Sequence, residues 1–69
     1  MDILLGKRLK ELREEKGLTQ KKLAEDLGLN PVTYLHYEKA QREPPLAVLA
    51  EMAEYFGVST DFLIGIKDI

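Results

Sequence analysis

The feature that most constrains this chain is a repeated interruption. An apolar pattern with helical spacing is broken by Gly17, by Gly28, by Pro44-Pro45 and again by Gly57. The stretches between these breaks fall at or below the roughly 12 to 15 residues at which an isolated helix is even marginal in water, so they have to shelter one another. Leu5, Leu9 and Leu12 recur at helical intervals with Lys, Arg and Glu between them, and Gly17 supplies a left-handed stop. Thr19 offers its hydroxyl as the N-cap of a second helix, in which Leu23, Ala24 and Leu27 share a face before Gly28 ends it. Asn30 before Pro31 is a cap followed by a residue fixed at helical φ, so a third helix begins there and runs to about Lys39. After Glu43-Pro44-Pro45, a fourth helix is marked by Leu46, Leu49, Met52, Ala53 and Phe56, and Gly57 closes it. Ser59 caps a short fifth helix with Phe62 and Leu63, followed by Gly65 and an apolar tail, Ile66 and Ile69. Period-two alternation is not sustained anywhere, which makes the fold class all-α, a compact five-helix domain. No linker or repeat divides residues 1–69, which read as a single domain.

Composition sets the limits of function. At 69 residues and 45% hydrophobic the chain has material for one small core. Such a core supplies only about 3 to 5 kcal/mol of net stability, so a homodimer is expected on energetic grounds. There is no cysteine and only one histidine, which argues against disulfides and metal sites, and no cofactor is expected. No run approaches the roughly 18 apolar residues of a membrane span, and the opening lacks the basic start of a secretory signal. A soluble, unprocessed, cytoplasmic protein is the expectation. The net charge of −2 speaks against nucleic acid as a partner. The distribution speaks for it: residues 7–22 carry a local balance of +4 and residues 45–69 one of −3. An ordinary solvated charge pattern accounts for this equally well.

The second and third helices are the informative pair. Two short helices joined by a turn containing glycine, and backed by a longer first helix, describe a helix-turn-helix unit. Here the residues resemble the Cro/C1-type (XRE) family of phage and bacterial repressors, over nearly the whole chain. Gly6-Lys7-Arg8-Leu9-Lys10-Glu11-Leu12-Arg13 is similar to the family's first helix. Gly17-Leu18-Thr19-Gln20, Leu23-Ala24-Glu25 and Leu27-Gly28 are similar to its second helix and turn. Tyr37-Glu38 and Arg42-Glu43-Pro44 match the end of its recognition helix and the following loop. Leu46, Leu49, Ala53, Phe56-Gly57-Val58-Ser59, Asp61 and Leu63 fit the last two helices.

The resemblance implies a lambda-repressor-like DNA-binding fold. It places Gln20 and Lys21 at the start of helix two, and Lys39, Gln41 and Arg42 after helix three, against the phosphate backbone; Thr33 contacts a phosphate or its own helix. Asn30, Pro31, Val32, Leu35 and His36 face the bases, while Tyr34 and Tyr37 turn inward. Family members commonly carry Gln, Arg, Ser or Asn at the base-facing sites, whereas this chain has proline, valine and leucine. Val32 and Leu35 suit thymine methyls, Asn30 an adenine or a phosphate, and His36 guanine N7, a phosphate or simply solvent. An exposed Leu35 calls for a cover, either DNA methyls or a protein. Lys39-Ala40 replaces the family's usual Asn-Gly, a lost glycine that bears on the loop geometry after helix three. Arg13 and Glu38 match a pair that links helix one to helix three, and Lys7, Arg8 and Lys10 solvate helix one.

Phe62, Ile64, Ile66 and Ile69 exceed what one core needs, and the resemblance places Tyr55 at a usually exposed position; the five are read as a dimer patch, and the other reading is a tail that folds back onto the core. A two-fold dimer presents its recognition helices about 34 to 36 Å apart, which calls for a near-palindromic operator. The functional expectation is a sequence-specific transcriptional regulator, a repressor that works by occupying double-stranded DNA. The alternative is a protein-interaction module of antitoxin or anti-repressor type. An enzyme is not expected, because the single histidine lies on an outward helix and Thr19 and Ser59 are accounted for as caps.

Overall fold

The computed structural model describes residues 3–68. Its elements are α1 (Leu5–Glu15), α2 (Gln20–Leu27), α3 (Pro31–Glu38), α4 (Leu46–Phe56) and α5 (Thr60–Ile64), with no strand among the described residues. The breaks act as their chemistry requires. Gly17, Gly28, Gly57 and Gly65 all take positive φ, just past the helices they follow. Thr19 Oγ1 accepts the Lys22 N–H and Ser59 Oγ the Phe62 N–H, each at 3.0 Å, so α2 and α5 begin where a side chain satisfies an orphan donor. α3 stops at Glu38, one residue short of the expected end, and Lys39 caps it.

Every helix supplies the core. Leu5 and Leu9 come from α1, Leu23 and Ala24 from α2, Tyr34 and Tyr37 from α3, Met52 and Ala53 from α4, and Leu63 from α5. α3 rests on both α1 and α2, while α5 bridges α1 and α4. Close approach of α1 to α3 depends on Gly6: a Cβ there would run into the Glu38 carbonyl oxygen and lie 3.0 Å from that of Tyr37. One apolar position departs from its periodicity. Leu46 keeps the helical spacing of α4 but is 84% exposed, because it sits in the first turn, outside the core.

The tail folds back. The Leu4 N–H donates to the Ile64 carbonyl at 3.0 Å, and Leu63 is fully buried. Arg8, expected to solvate α1, instead donates from Nη1 to the carbonyls of Phe62 and Lys67, both at 2.6 Å. Its guanidinium also lies 4.2 Å from the centroid of the Phe62 ring. No helix of the described residues is long and apolar enough to cross a membrane.

Candidate nucleic-acid interface

The turn between α2 and α3 is built by local bonds. Gly28 takes φ 70°, which lets the Leu29 N–H reach back to the Ala24 carbonyl at 2.8 Å. Asn30 then takes an extended conformation, its Oδ1 accepts the Val32 N–H at 2.8 Å, and Pro31 opens the helix. α3 is thus launched three residues after α2 ends, with an orientation fixed at both ends.

Burial divides α3 into two faces. Tyr34 and Tyr37 are in the core, whereas Asn30, Pro31 and Val32 are exposed, with Val32 at 58%. Leu35, His36 and Thr33 are half-buried. Leu35 is therefore partly covered by its own chain, and less of it is exposed than the sequence suggests. Asn30 is also constrained. Its amide oxygen already accepts the Val32 N–H, which fixes the side chain and leaves that oxygen one further lone pair, while Nδ2 stays free to donate outward.

The flanks hold cations and donors. Gln20 and Lys21 open α2, where their N–H groups precede the first helical bond, Leu23 N–H to the Thr19 carbonyl. Gln20 is half-buried and turns its Nε2 inward, donating to Glu38 Oε1 at 3.2 Å. On the other flank Lys39, Gln41 and Arg42 are exposed. Their loop is closed by the N–H groups of Gln41 and Arg42, which donate to the His36 carbonyl at 2.9 and 3.4 Å. The loop turns without a glycine, since Ala40 adopts the left-handed conformation itself, at φ 59°.

Behind the interface, Arg13 holds α3 to α1. Its Nε and Nη2 donate to the two carboxylate oxygens of Glu38 at 2.9 and 3.0 Å, and its Nη1 donates to the Leu18 carbonyl at 2.8 Å. The two side chains are 12% and 4% exposed. Burial alone would raise the Glu38 pKa, but the donors around it prevail and hold the carboxyl below the ordinary glutamate range. The buried Tyr34 hydroxyl approaches the same carboxylate outside hydrogen-bond geometry, and burial together with Glu38 pushes its pKa up.

Of the five residues read as a dimer patch, the four that are described differ in exposure and in what they touch. Tyr55 donates its hydroxyl to Asp26 Oδ2 at 2.7 Å, tying α4 to α2, and Asp26 also pairs with Lys22 at 3.1 Å. Phe62 lies beneath Arg8, Ile64 is half-buried, and Ile66 is 52% exposed. Ile69 lies outside the described residues. Sequence reasoning missed the clamp formed by Arg8 and the close packing at Gly6. The first joins residues far apart in the chain, and the second depends on how nearly two helices approach.

A helix-turn-helix family model matches residues 9–63. The chain is 40% identical over 65 residues to the HTH-type transcriptional regulator ImmR of Bacillus subtilis, covering 94% of this chain and 51% of that protein. It is 41% identical over 61 residues to YonR, a prophage-derived HTH-type transcriptional regulator of the same organism, covering 88% and 56%. It is 33% identical over 55 residues to RstR, a cryptic phage transcriptional repressor of Vibrio cholerae, covering 80% and 50%. The chain thus spans about half the length of these relatives. The crystal structure of a transcriptional regulator from Listeria innocua superposes with a TM-score of 0.88 at 29% identity, over 94% of this chain and 61% of that one.

Proposed function

Because the chain belongs to the Cro/C1-type helix-turn-helix family, we propose that it is the DNA-binding domain of a transcriptional regulator, a repressor that acts by occupying an operator rather than by chemistry. The observation that carries this reading is the display of α3. Its exposed end, Asn30 to Val32, stands between two flanks that offer donors to phosphate: the start of α2 and the loop at Lys39, Gln41 and Arg42. Base reading falls to Val32, Leu35 and His36 with Pro31 as a shape contact, and the methyl groups of thymine suit the first two. Thr33 and Lys21 serve the backbone. We further propose that residues 1–69 act as one domain in the cytoplasm, as a homodimer on a near-palindromic site, with Phe62, Ile64 and Ile66 at the edge of the contact.

Duplex binding measured against salt tests this reading. Arg42→Ala is expected to weaken binding to all duplexes and to lower the salt slope by about 0.9 for one phosphate no longer neutralised, whereas Gln20→Ala, which removes no charge, is expected to weaken binding to all duplexes at unchanged slope. Val32→Ala is expected to change the ranking of operators instead. An unchanged slope for Arg42→Ala, undiminished binding for Gln20→Ala, or equal losses on every sequence for Val32→Ala contradicts the respective role. A second reading, a protein-interaction module on the same fold, draws support from the apolar outward face of Pro31, Val32 and Leu35. Native protein that shows no salt-dependent affinity for any duplex favours that module.

A further inference from the structure

Tyr55 is tied to Asp26 and Phe62 lies under Arg8, so neither is free to lead a contact with a second copy. The outward side of α1 offers more. Lys7, Lys10, Glu11 and Glu14 are placed at about 100° per residue on one stripe opposite Leu5 and Leu9, with Lys7, Lys10 and Glu11 exposed and Glu14 at its C-terminal end. The stripe is divided by sign, with its lysines toward the N-terminus and its glutamates toward the C-terminus. This runs against the helix dipole, which favours acids in the first turn, where α1 has none. Nor do the charges answer one another along the helix. Lys7 with Glu11 and Lys10 with Glu14 have the less favourable order, and among the described residues neither forms an ion pair.

We propose that this stripe docks a second copy of the chain, with the two α1 helices packed antiparallel about a two-fold axis midway between Lys10 and Glu11. In that register Lys7 meets Glu14 of the partner subunit and Lys10 meets Glu11 of the partner subunit, and the two-fold repeats both pairs. A pattern unfavourable in one helix becomes complementary in two, and the opposed dipoles compensate each other. The same two-fold brings the shallow grooves between α1 and α5 to one side of the pair. Each is lined by Arg8, Glu11, Leu12, Glu14, Glu15 and Phe62, so three glutamates and one arginine border it where the partner's lysines approach. Exposed ion pairs fix register and orientation more than they add affinity. The contact therefore fills most readily when two copies occupy neighbouring half-sites, where their effective concentration is high. This inference rests on the reading that the chain works as a pair.

The test is charge exchange, followed by sedimentation of the full chain without DNA, at low ionic strength and over a concentration series. Lys7→Glu/Lys10→Glu makes the stripe wholly acidic, and Glu11→Lys/Glu14→Lys makes it wholly basic. Circular dichroism identifies variants that keep the fold. Each variant alone is expected to associate at least about tenfold more weakly than native protein, while an equimolar mixture recovers native association as a heterodimer. Native protein that stays monomeric throughout, reversed chains that associate like native, or a mixture no better than its components would each overturn the proposal. Duplex titrations on the same samples keep the two readings apart. Native protein that binds duplex but never self-associates removes only the α1 contact; association through the stripe without salt-dependent duplex affinity removes only the DNA reading.

Discussion

Ala40 holds a backbone conformation that its own Cβ opposes. At φ 59° it does what a glycine does without strain, closing the end of α3 so that the Gln41 N–H can reach the His36 carbonyl. A left-handed alanine costs roughly 1 to 2 kcal/mol, part of which is offset because glycine leaves the unfolded chain freer. Ala40→Gly is therefore expected to stabilise the domain by about 0.5 to 1 kcal/mol, seen as a higher denaturant midpoint at unchanged slope. No gain, or a loss, would mean that the loop accommodates alanine without strain. Gly6 poses the opposite case. A methyl there meets the backbone carbonyls of Glu38 and Tyr37, which cannot rotate aside, so α1 and α3 have to separate. Gly6→Ala is expected to cost about 1 to 3 kcal/mol and to lower the same midpoint. Of these details the sequence shows the caps best. Thr19, Asn30 and Ser59 act on donors two or three residues ahead, so their roles can be read locally. Gly6 acts on a helix some thirty residues away, and nothing near it announces that.

At the scale of elements, breaks and periodicity place all five helices, because a helix that must hide one face advertises it at every turn, while the inward turn of Tyr34 and Tyr37 follows from the family resemblance. Leu46 shows the limit: periodicity marks which side of a helix a residue lies on, not whether the core extends that far. How α3 is aimed depends on the fork between Arg13 and Glu38, with Gln20 as a third member. The Glu38 pKa is depressed in the folded state, so its contribution to stability is complete above the unfolded value of about 4.3 and fades as pH falls through the lower folded value. Glu38→Gln keeps the shape but leaves the Arg13 charge nearly buried and unpaired, at an expected cost of roughly 3 kcal/mol near neutrality. The difference in stability between native and variant should shrink as pH is lowered from about 5 toward about 2, measured by chemical denaturation at each pH. A constant difference would show that the charge of Glu38 plays no part.

For the molecule as a whole, the decisive contact joins its two ends. Arg8 reaches across 54 positions of sequence to the Phe62 carbonyl, spans to the Lys67 carbonyl and lies over the Phe62 ring, so that α5 and the tail are held against α1. Sequence alone leaves two fates open for these residues, a dimer patch or a tail folded back. In the structure the Phe62 and Lys67 carbonyls are held against α1 by an arginine that composition alone assigns to solvent, because a cation in a basic stretch carries no mark of a distant carbonyl. Arg8→Ala removes a charged donor shared by two acceptors and is expected to destabilise the domain by about 2 kcal/mol. The loss should also have a place. The Leu4 N–H, bonded to the Ile64 carbonyl, should exchange with solvent far faster, while amides in α2 and α3 slow or quicken only with global stability. Arg8→Lys should not restore protection, since an ammonium placed to make both Nη1 bonds gives up the planar contact with the Phe62 ring and the second nitrogen that faces Asp68. If lysine does restore it, one cationic nitrogen bonded to the two carbonyls holds the tail, and the stacking of the guanidinium on Phe62 is incidental.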